Sequence, residues 1–164
     1  MFSKWKSKKQ QTLEITSPLT GTAVPLDQVP DEAFAGGHMG KGLAIEPGDG
    51  KLIAPFDGVV AHVIKSKHAV IVEHENGLQF LFHIGINTVG LKGSGFTSQV
   101  NTGDKVKAGQ TLIEFDIEAI RAAGLPTVTP VIITNSEDKV EQMETKLGAV
   151  TAGQTEILSV TLKS

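Results

Sequence analysis

The chain has 164 residues and a mass of 17.3 kDa, with 40% hydrophobic and 20% charged residues. That is the make-up of one folded domain, not of a disordered or membrane-embedded chain, and the absence of cysteine excludes disulfides, thiolate zinc sites and a cysteine nucleophile. The net charge of −3 is uneven: Lys4, Lys6, Lys8 and Lys9 give residues 1–11 a local +4, while the rest holds 11 basic and 18 acidic residues, a net −7 that argues against nucleic acid as a partner.

Residues 1–12 read as a flexible basic tail, and residues 13–164 as the folded domain. Phe2 and Trp5 among the lysines suit at most a weak, salt-sensitive contact with an anionic membrane surface. No apolar run approaches the roughly 18 residues of a spanning helix. The lysine-rich start leads into glutamines, not into the apolar core of a secretory signal, so a cytoplasmic protein is expected.

Helical signals are few. Asp31–Ala35 suits a single turn. Asp116 caps a short helix through Ala123, stopped by Gly124 and then Pro126. A weaker helical stretch is expected from Ser136 to Lys146. Strand signals are many, and the 18 glycines punctuate them. In chain order they are Leu52–Ile53, Gly58–Ile64, Ala69–His74, Leu78–Ile84, Thr111–Phe115, Thr129–Ile133 and Thr155–Leu162, rich in Val, Ile, Thr and Phe.

The chain also echoes itself. Ser17-Pro18-Leu19-Thr20-Gly21 returns as Ala54-Pro55-Phe56-Asp57-Gly58, and Val106-Lys107-Ala108-Gly109-Gln110-Thr111 returns as Val150-Thr151-Ala152-Gly153-Gln154-Thr155. Two echoes in the same order at different offsets point to a duplication with insertions between the copies. The predicted fold is all-β: an antiparallel β-sandwich or flattened barrel with a duplicated β motif and one or two short helices. Closure of that kind protects strand edges.

Between two β runs, Asn76-Gly77 is a strong hairpin signal, because both residues accept positive φ. A two-residue loop sets Val70 opposite His83 and His68 opposite Gly85, with the two histidines diagonal on one face. In that register Val70, Val72 and Leu81 form an apolar collar beside them, while Ala69, Ile71, Phe80, Phe82 and Ile84 face the core. A three-residue loop with a bulge shifts the register by one and separates the histidines. Two adjacent imidazoles can ligate a metal, relay protons, or act as nucleophile and hydrogen-bond donor. Two ligands alone do not close a metal site, and nothing in the sequence implies a metal or a cofactor. His38, His62 and His74 lack a partner at this level.

The run from Phe82 through His83-Ile84-Gly85-Ile86-Asn87-Thr88-Val89-Gly90-Leu91-Lys92-Gly93-Ser94-Gly95-Phe96 resembles the active-site signature of the glucose-type enzyme IIA family. That family is the soluble IIA component of the bacterial phosphoenolpyruvate-dependent sugar phosphotransferase system. Ser17–Gly21, Gly40–Ile45, Ala54–Gly58 and Thr129–Val131 resemble further landmarks in order, so the likeness spans about Leu13 to Lys163.

The resemblance implies a phosphoryl relay. His83 matches the histidine that accepts phosphate from the phosphocarrier HPr and passes it to the cysteine of a IIB domain in a membrane IIBC sugar permease. His68 matches the histidine that contacts the phosphoryl group, and Ser66 stands where a small hydroxyl residue orients that ring. Asn87 departs from the Asp of many members. A docking face built from Val70, Val72, Leu81, Gly85 and Asn87 follows for two successive partners, and regulation of other proteins by phosphorylation state is compatible with it. The alternative from another class is a biotinyl- or lipoyl-type carrier, suggested by Gly103–Leu112. The tripeptide around a hairpin-tip lysine that such carriers need does not occur.

Overall fold

The structure, a computed structural model, describes residues 11–164, so the basic tail expected over residues 1–12 lies almost entirely outside the described residues. Fourteen strands carry the fold among them. They are β1 (Thr12–Thr16), β2 (Gly21–Pro25), β3 (Lys41–Pro47), β4 (Lys51–Ile53), β5 (Gly58–Val63), β6 (Ala69–His74) and β7 (Gln79–His83). The remainder are β8 (Phe96–Ser98), β9 (Lys105–Val106), β10 (Thr111–Phe115), β11 (Thr129–Ile133), β12 (Val140–Thr145), β13 (Gly148–Val150) and β14 (Glu156–Leu162).

An eight-stranded antiparallel sheet runs β13-β2-β3-β11-β7-β6-β5-β9, and two three-stranded sheets, β1-β14-β12 and β4-β10-β8, complete the sandwich. The order is symmetric. β1–β3 with β11–β14 form one half, and β4–β10 form the other, inserted between β3 and β11. The echoed motifs occupy matching places in the two halves: Gly21 pairs with Val150 as Gly58 pairs with Val106. Gly153 N–H donates to Ser17 O at 2.8 Å, as Gly109 N–H donates to Ala54 O at 2.8 Å. The insertion explains why the two echoes have different offsets.

The main core draws on all three sheets, including Ile15, Leu158, Leu52, Ile113, Val70, Val72, Phe80 and Phe82. Phe80 and Phe82 are completely buried. Truncating either to alanine in such a setting costs about 3–5 kcal/mol. A smaller cluster lies on the other side of the large sheet, where Ala44, Ala69, Leu81 and Ile132 are covered by Val29 and Phe34. His83 meets Phe34 on this second side.

The expected turn at Asp31–Ala35 forms as α1 (Glu32–Ala35), with Asp31 Oδ1 accepting from Ala33 N–H at 2.9 Å. The expected helix after Asp116 forms as α2 (Ile117–Ala122); Asp116 caps it and Gly124 ends it at φ +76°. The helix expected over Ser136–Lys146 is corrected. Only α3 (Ser136–Lys139) is helical, and the rest is β12, with Met143 opposite Val160 and Thr145 opposite Leu158. Pairing with β14 and burial of Val140 outweigh the helix propensity of the Glu-Gln-Met-Glu run. No helix among the described residues is long and apolar enough to cross a membrane.

Candidate functional site

The hairpin β6–β7 takes the shifted register. His74 N–H donates to Leu78 O at 2.9 Å, Gly77 N–H donates to His74 O at 2.9 Å, and Gly77 sits at φ +95°. The loop is therefore three residues long, Glu75-Asn76-Gly77, with Asn76 Oδ1 accepting from Leu78 N–H at 3.0 Å. Ala69, not Val70, stands opposite His83. The collar expected from the two-residue loop is corrected accordingly. Val70 and Val72 turn to the other side of the sheet and are completely buried in the main core, so neither lines a docking face. Ala69 and Ile71 come instead to the side of Leu81, which is itself only 6% exposed.

The histidines nevertheless meet. His68 lies in the bend just before β6, outside the regular alternation, and its ring stands 4.8 Å from that of His83 at 79° between planes. Beyond them, Phe34 from α1 packs against His83, with ring centroids 5.0 Å apart.

Hydrogen bonds fix which nitrogen of each ring can react. Gly85, at φ +70°, curls its carbonyl back to within 2.8 Å of His83 Nδ1. A carbonyl only accepts, so Nδ1 carries the proton and Nε2 keeps its lone pair. No side chain fits at Gly85, where a Cβ would come within 2.7 Å of Thr88 Cγ2 and 2.9 Å of Pro126 O. Buried Thr88 secures the same loop by donating to Ile84 O at 2.5 Å. Ser66 Oγ lies 2.8 Å from His68 Nδ1. With the hydroxyl donating, neutral His68 presents its proton on Nε2 as an outward donor.

Electrostatics keep both rings neutral. Burial, then the neighbouring His83, pushes His68 down to about 4. Burial also lowers His83, opposed by its bond to the Gly85 carbonyl and by the Asp31 carboxylate. An imidazole has no free lone pair once protonated, so a depressed value preserves nucleophilicity at neutral pH. The pair combines one lone pair and one donor, an arrangement suited to accepting and holding an anionic group.

Asn87 is exposed in the left-handed conformation, φ +63°, at the head of the turn Thr88–Leu91. Val89 in that turn is 58% exposed and shares an open cleft with Ile64, Lys65, Ser66 and Lys92. Phe34 and Asp31 escaped the sequence reading. The one available signal was an isolated phenylalanine in a short turn capped by Asp31. His74 sits on the opposite side of the sheet against Phe56, ring centroids 4.9 Å apart; His38 lies beside Glu32 on the surface, and His62 is exposed. Among the described residues no group of three or more His, Asp or Glu side chains is placed to hold a metal ion.

Comparison with known proteins bears on this site. Residues 13–139 match the family described as phosphoenolpyruvate-dependent sugar phosphotransferase system, EIIA 1. The PTS system glucose-specific EIIA component of Oceanobacillus iheyensis is 43% identical over 157 residues, covering 96% of this chain and 95% of that one. The glucose-specific EIIBCA component of Corynebacterium glutamicum is 51% identical over 126 residues, 77% of this chain but 19% of that longer one. Among solved structures, the glucose permease IIA from Mycoplasma capricolum superposes with a TM-score of 0.83 at 32% identity, covering 90% of this chain and 96% of that one.

Proposed function

The chain belongs to the EIIA 1 family of the phosphoenolpyruvate-dependent sugar phosphotransferase system, and is thus a phosphoryl-carrying phosphotransferase component; on that premise we propose that His83 is the residue that carries the phosphoryl group. The observation that supports this most directly is the tether of His83 Nδ1 to the Gly85 carbonyl, which leaves Nε2 as the free nucleophile.

In the proposed relay, His83 Nε2 attacks the phosphorus of phosphohistidine on HPr. The phosphorus–nitrogen bond in HPr breaks as the new one forms, and the HPr imidazole leaves with the bonding pair. The Nδ1 proton stays on Nδ1, donated to the Gly85 carbonyl, throughout. His68 Nε2–H donates to a phosphoryl oxygen, and Ser66 holds that ring in the required orientation. In the second transfer a IIB cysteine thiolate attacks the same phosphorus, and His83 Nε2 regains its lone pair.

The acceptor is a IIB domain of a glucose-type IIBC permease at the cytoplasmic side of the membrane. Relatives named EIIBCA and EIICBA components, in which this segment is about a fifth of the length, support a IIB and IIC partner. Docking uses the surface next to His83: the exposed Val89 and Asn87, the half-buried Ile64, and Leu81 and Gly85 beneath them. An apolar patch of that kind excludes water from a labile phosphohistidine and still releases its partner.

The test is incubation with phosphoenolpyruvate, enzyme I and HPr, followed by mapping of the acid-labile phosphate. Label on His83 Nε2 supports the proposal; label elsewhere, or none, removes it.

A further inference from the structure

We propose that Lys67 is the positioning residue of the histidine pair: its left-handed backbone turns His68 out of the sheet ladder and onto the side where His83 stands. The proposal deepens the phosphoryl-carrier reading, on whose histidine pair it rests.

With Ala69 opposite His83, alternation sends residues 70 and 72 to the main core and residues 69 and 71 to the other side. Regular continuation by one residue would point His68 into the main core with Val70. Its ring instead lies 4.8 Å from His83, while its carbonyl still takes a ladder bond from Ile84 N–H at 2.7 Å. The backbone of His68 thus stays in place as its side chain leaves the pattern. A conformational break must therefore occur just ahead of it.

That break is at Lys67, φ +62°, one of three non-glycine residues with positive φ among those described. The connection from β5 to β6 is a tight five-residue loop, residues 64–68, closed by Ile64 N–H to Ala69 O at 3.0 Å and by Lys67 N–H to Ile64 O at 2.7 Å. Loops this short need a left-handed residue near their end. Lysine, unlike glycine or asparagine, gains nothing from that conformation by itself. Its side chain is exposed and takes part in none of the ion pairs among the described residues. The backbone conformation is what matters, and the same loop brings Ser66 Oγ to His68 Nδ1.

The test compares Lys67→Gly and Lys67→Asn, which tolerate positive φ, with Lys67→Val, which resists it. Two readouts are taken on the full chain: NMR titration of His68 with its through-space contact to His83, and transfer from phospho-HPr. Among the described residues, the polar groups against the His68 ring are His83 and the Ser66 hydroxyl. Lys67→Gly and Lys67→Asn should keep the low His68 titration near 4 and transfer at the native rate. Lys67→Val should move that titration up towards the ordinary value, lose the contact, and lower the maximal transfer rate roughly tenfold or more at an unchanged half-saturating HPr concentration.

If Lys67→Val fails to fold, Lys67→Thr, also β-branched, decides by the same two readouts. A folded valine or threonine variant with native titration and native rate overturns the proposal. So does an equal loss of rate in Lys67→Gly and Lys67→Asn, which would assign the effect to the lysine side chain. The NMR readouts need no transfer, so failure of the wild-type chain to take phosphate from HPr would remove the proposed function and leave this positioning test intact.

Discussion

The ring of His68 stands edge-on to that of His83, yet only His83 has its Nδ1 committed to a backbone carbonyl. Ser66, a group that can donate as well as accept, faces the other ring. This asymmetry assigns different work to two identical side chains. His83→Ala is expected to abolish phosphorylation by phospho-HPr, because the accepting atom is gone. His68→Gln keeps one donor and should still be phosphorylated, but pass the group to IIB roughly 10–100-fold more slowly. Radiolabel transfer in both directions checks this; phosphate on His68 in His83→Ala would reverse the roles.

Asp31 raises the His83 pKa, opposing the burial that lowers it. Asp31→Asn keeps an Ncap for α1 but removes the charge, so His83 should titrate lower than in the wild type. The acid limb of the transfer rate against pH follows the loss of the His83 lone pair, and should move to lower pH in the variant. An unmoved or upward-moved limb would separate Asp31 from the acceptor.

Gly85 has no room for a methyl group and lies at φ +70°. Gly85→Ala should lower stability by about 1–3 kcal/mol in urea unfolding and release the His83 tether. The second effect appears by NMR as loss of the fixed Nδ1–H tautomer.

Both histidines resist protonation in the folded state, whereas in the unfolded chain they take protons near the ordinary value. Below about pH 6.5 the unfolded state binds more protons, so stability is complete above that pH and falls as pH drops towards about 4. His68→Gln should flatten this decline, because it removes a group that protonates only on unfolding. Urea midpoints measured across this window for the two chains provide the comparison.

Val89 and Leu147 are comparably exposed, at 58% and 51%, but only Val89 borders the histidine site. An aspartate at either position should change stability by no more than about 0.5 kcal/mol. Val89→Asp should slow transfer both from HPr and to IIB, since docking must desolvate the new charge. Leu147→Asp should leave both rates unchanged. Equal behaviour of the two would displace the docking surface from the turn that holds Val89.

The sequence was most legible where local signals agree with long-range pairing. Each of the seven expected strands appears within one residue of its predicted bounds, because its apolar residues face a sheet partner. Legibility failed where one residue of loop length matters. Asn76-Gly77 signals a hairpin in either register, and only the bonds of His74 and Gly77 select the three-residue loop. The histidine pair was expected on one side for a reason that does not hold; the break at Lys67 restores what the register takes away. Phe34 and Asp31 reach His83 from α1, about fifty residues earlier in the chain, and the isolated phenylalanine of that turn does not say which residue it will meet.

The insertion of one half of the duplication inside the other also has a consequence in time. β1 pairs with β14, Thr12 opposite Thr161, so the first described strand has no partner until nearly the whole chain exists. β4–β10, by contrast, contains both partners of most of its own ladders, including β5–β6, β6–β7 and β4–β10. Loop-closure entropy favours the segment with nearer contacts, so the inserted half should order first during synthesis, with its histidine hairpin. A chain truncated before Glu156 loses β14, the central strand of its sheet, and strands both β1 and β12 as open edges. Such a fragment should expose apolar residues of the main core and aggregate, even though every residue that touches the histidines is present.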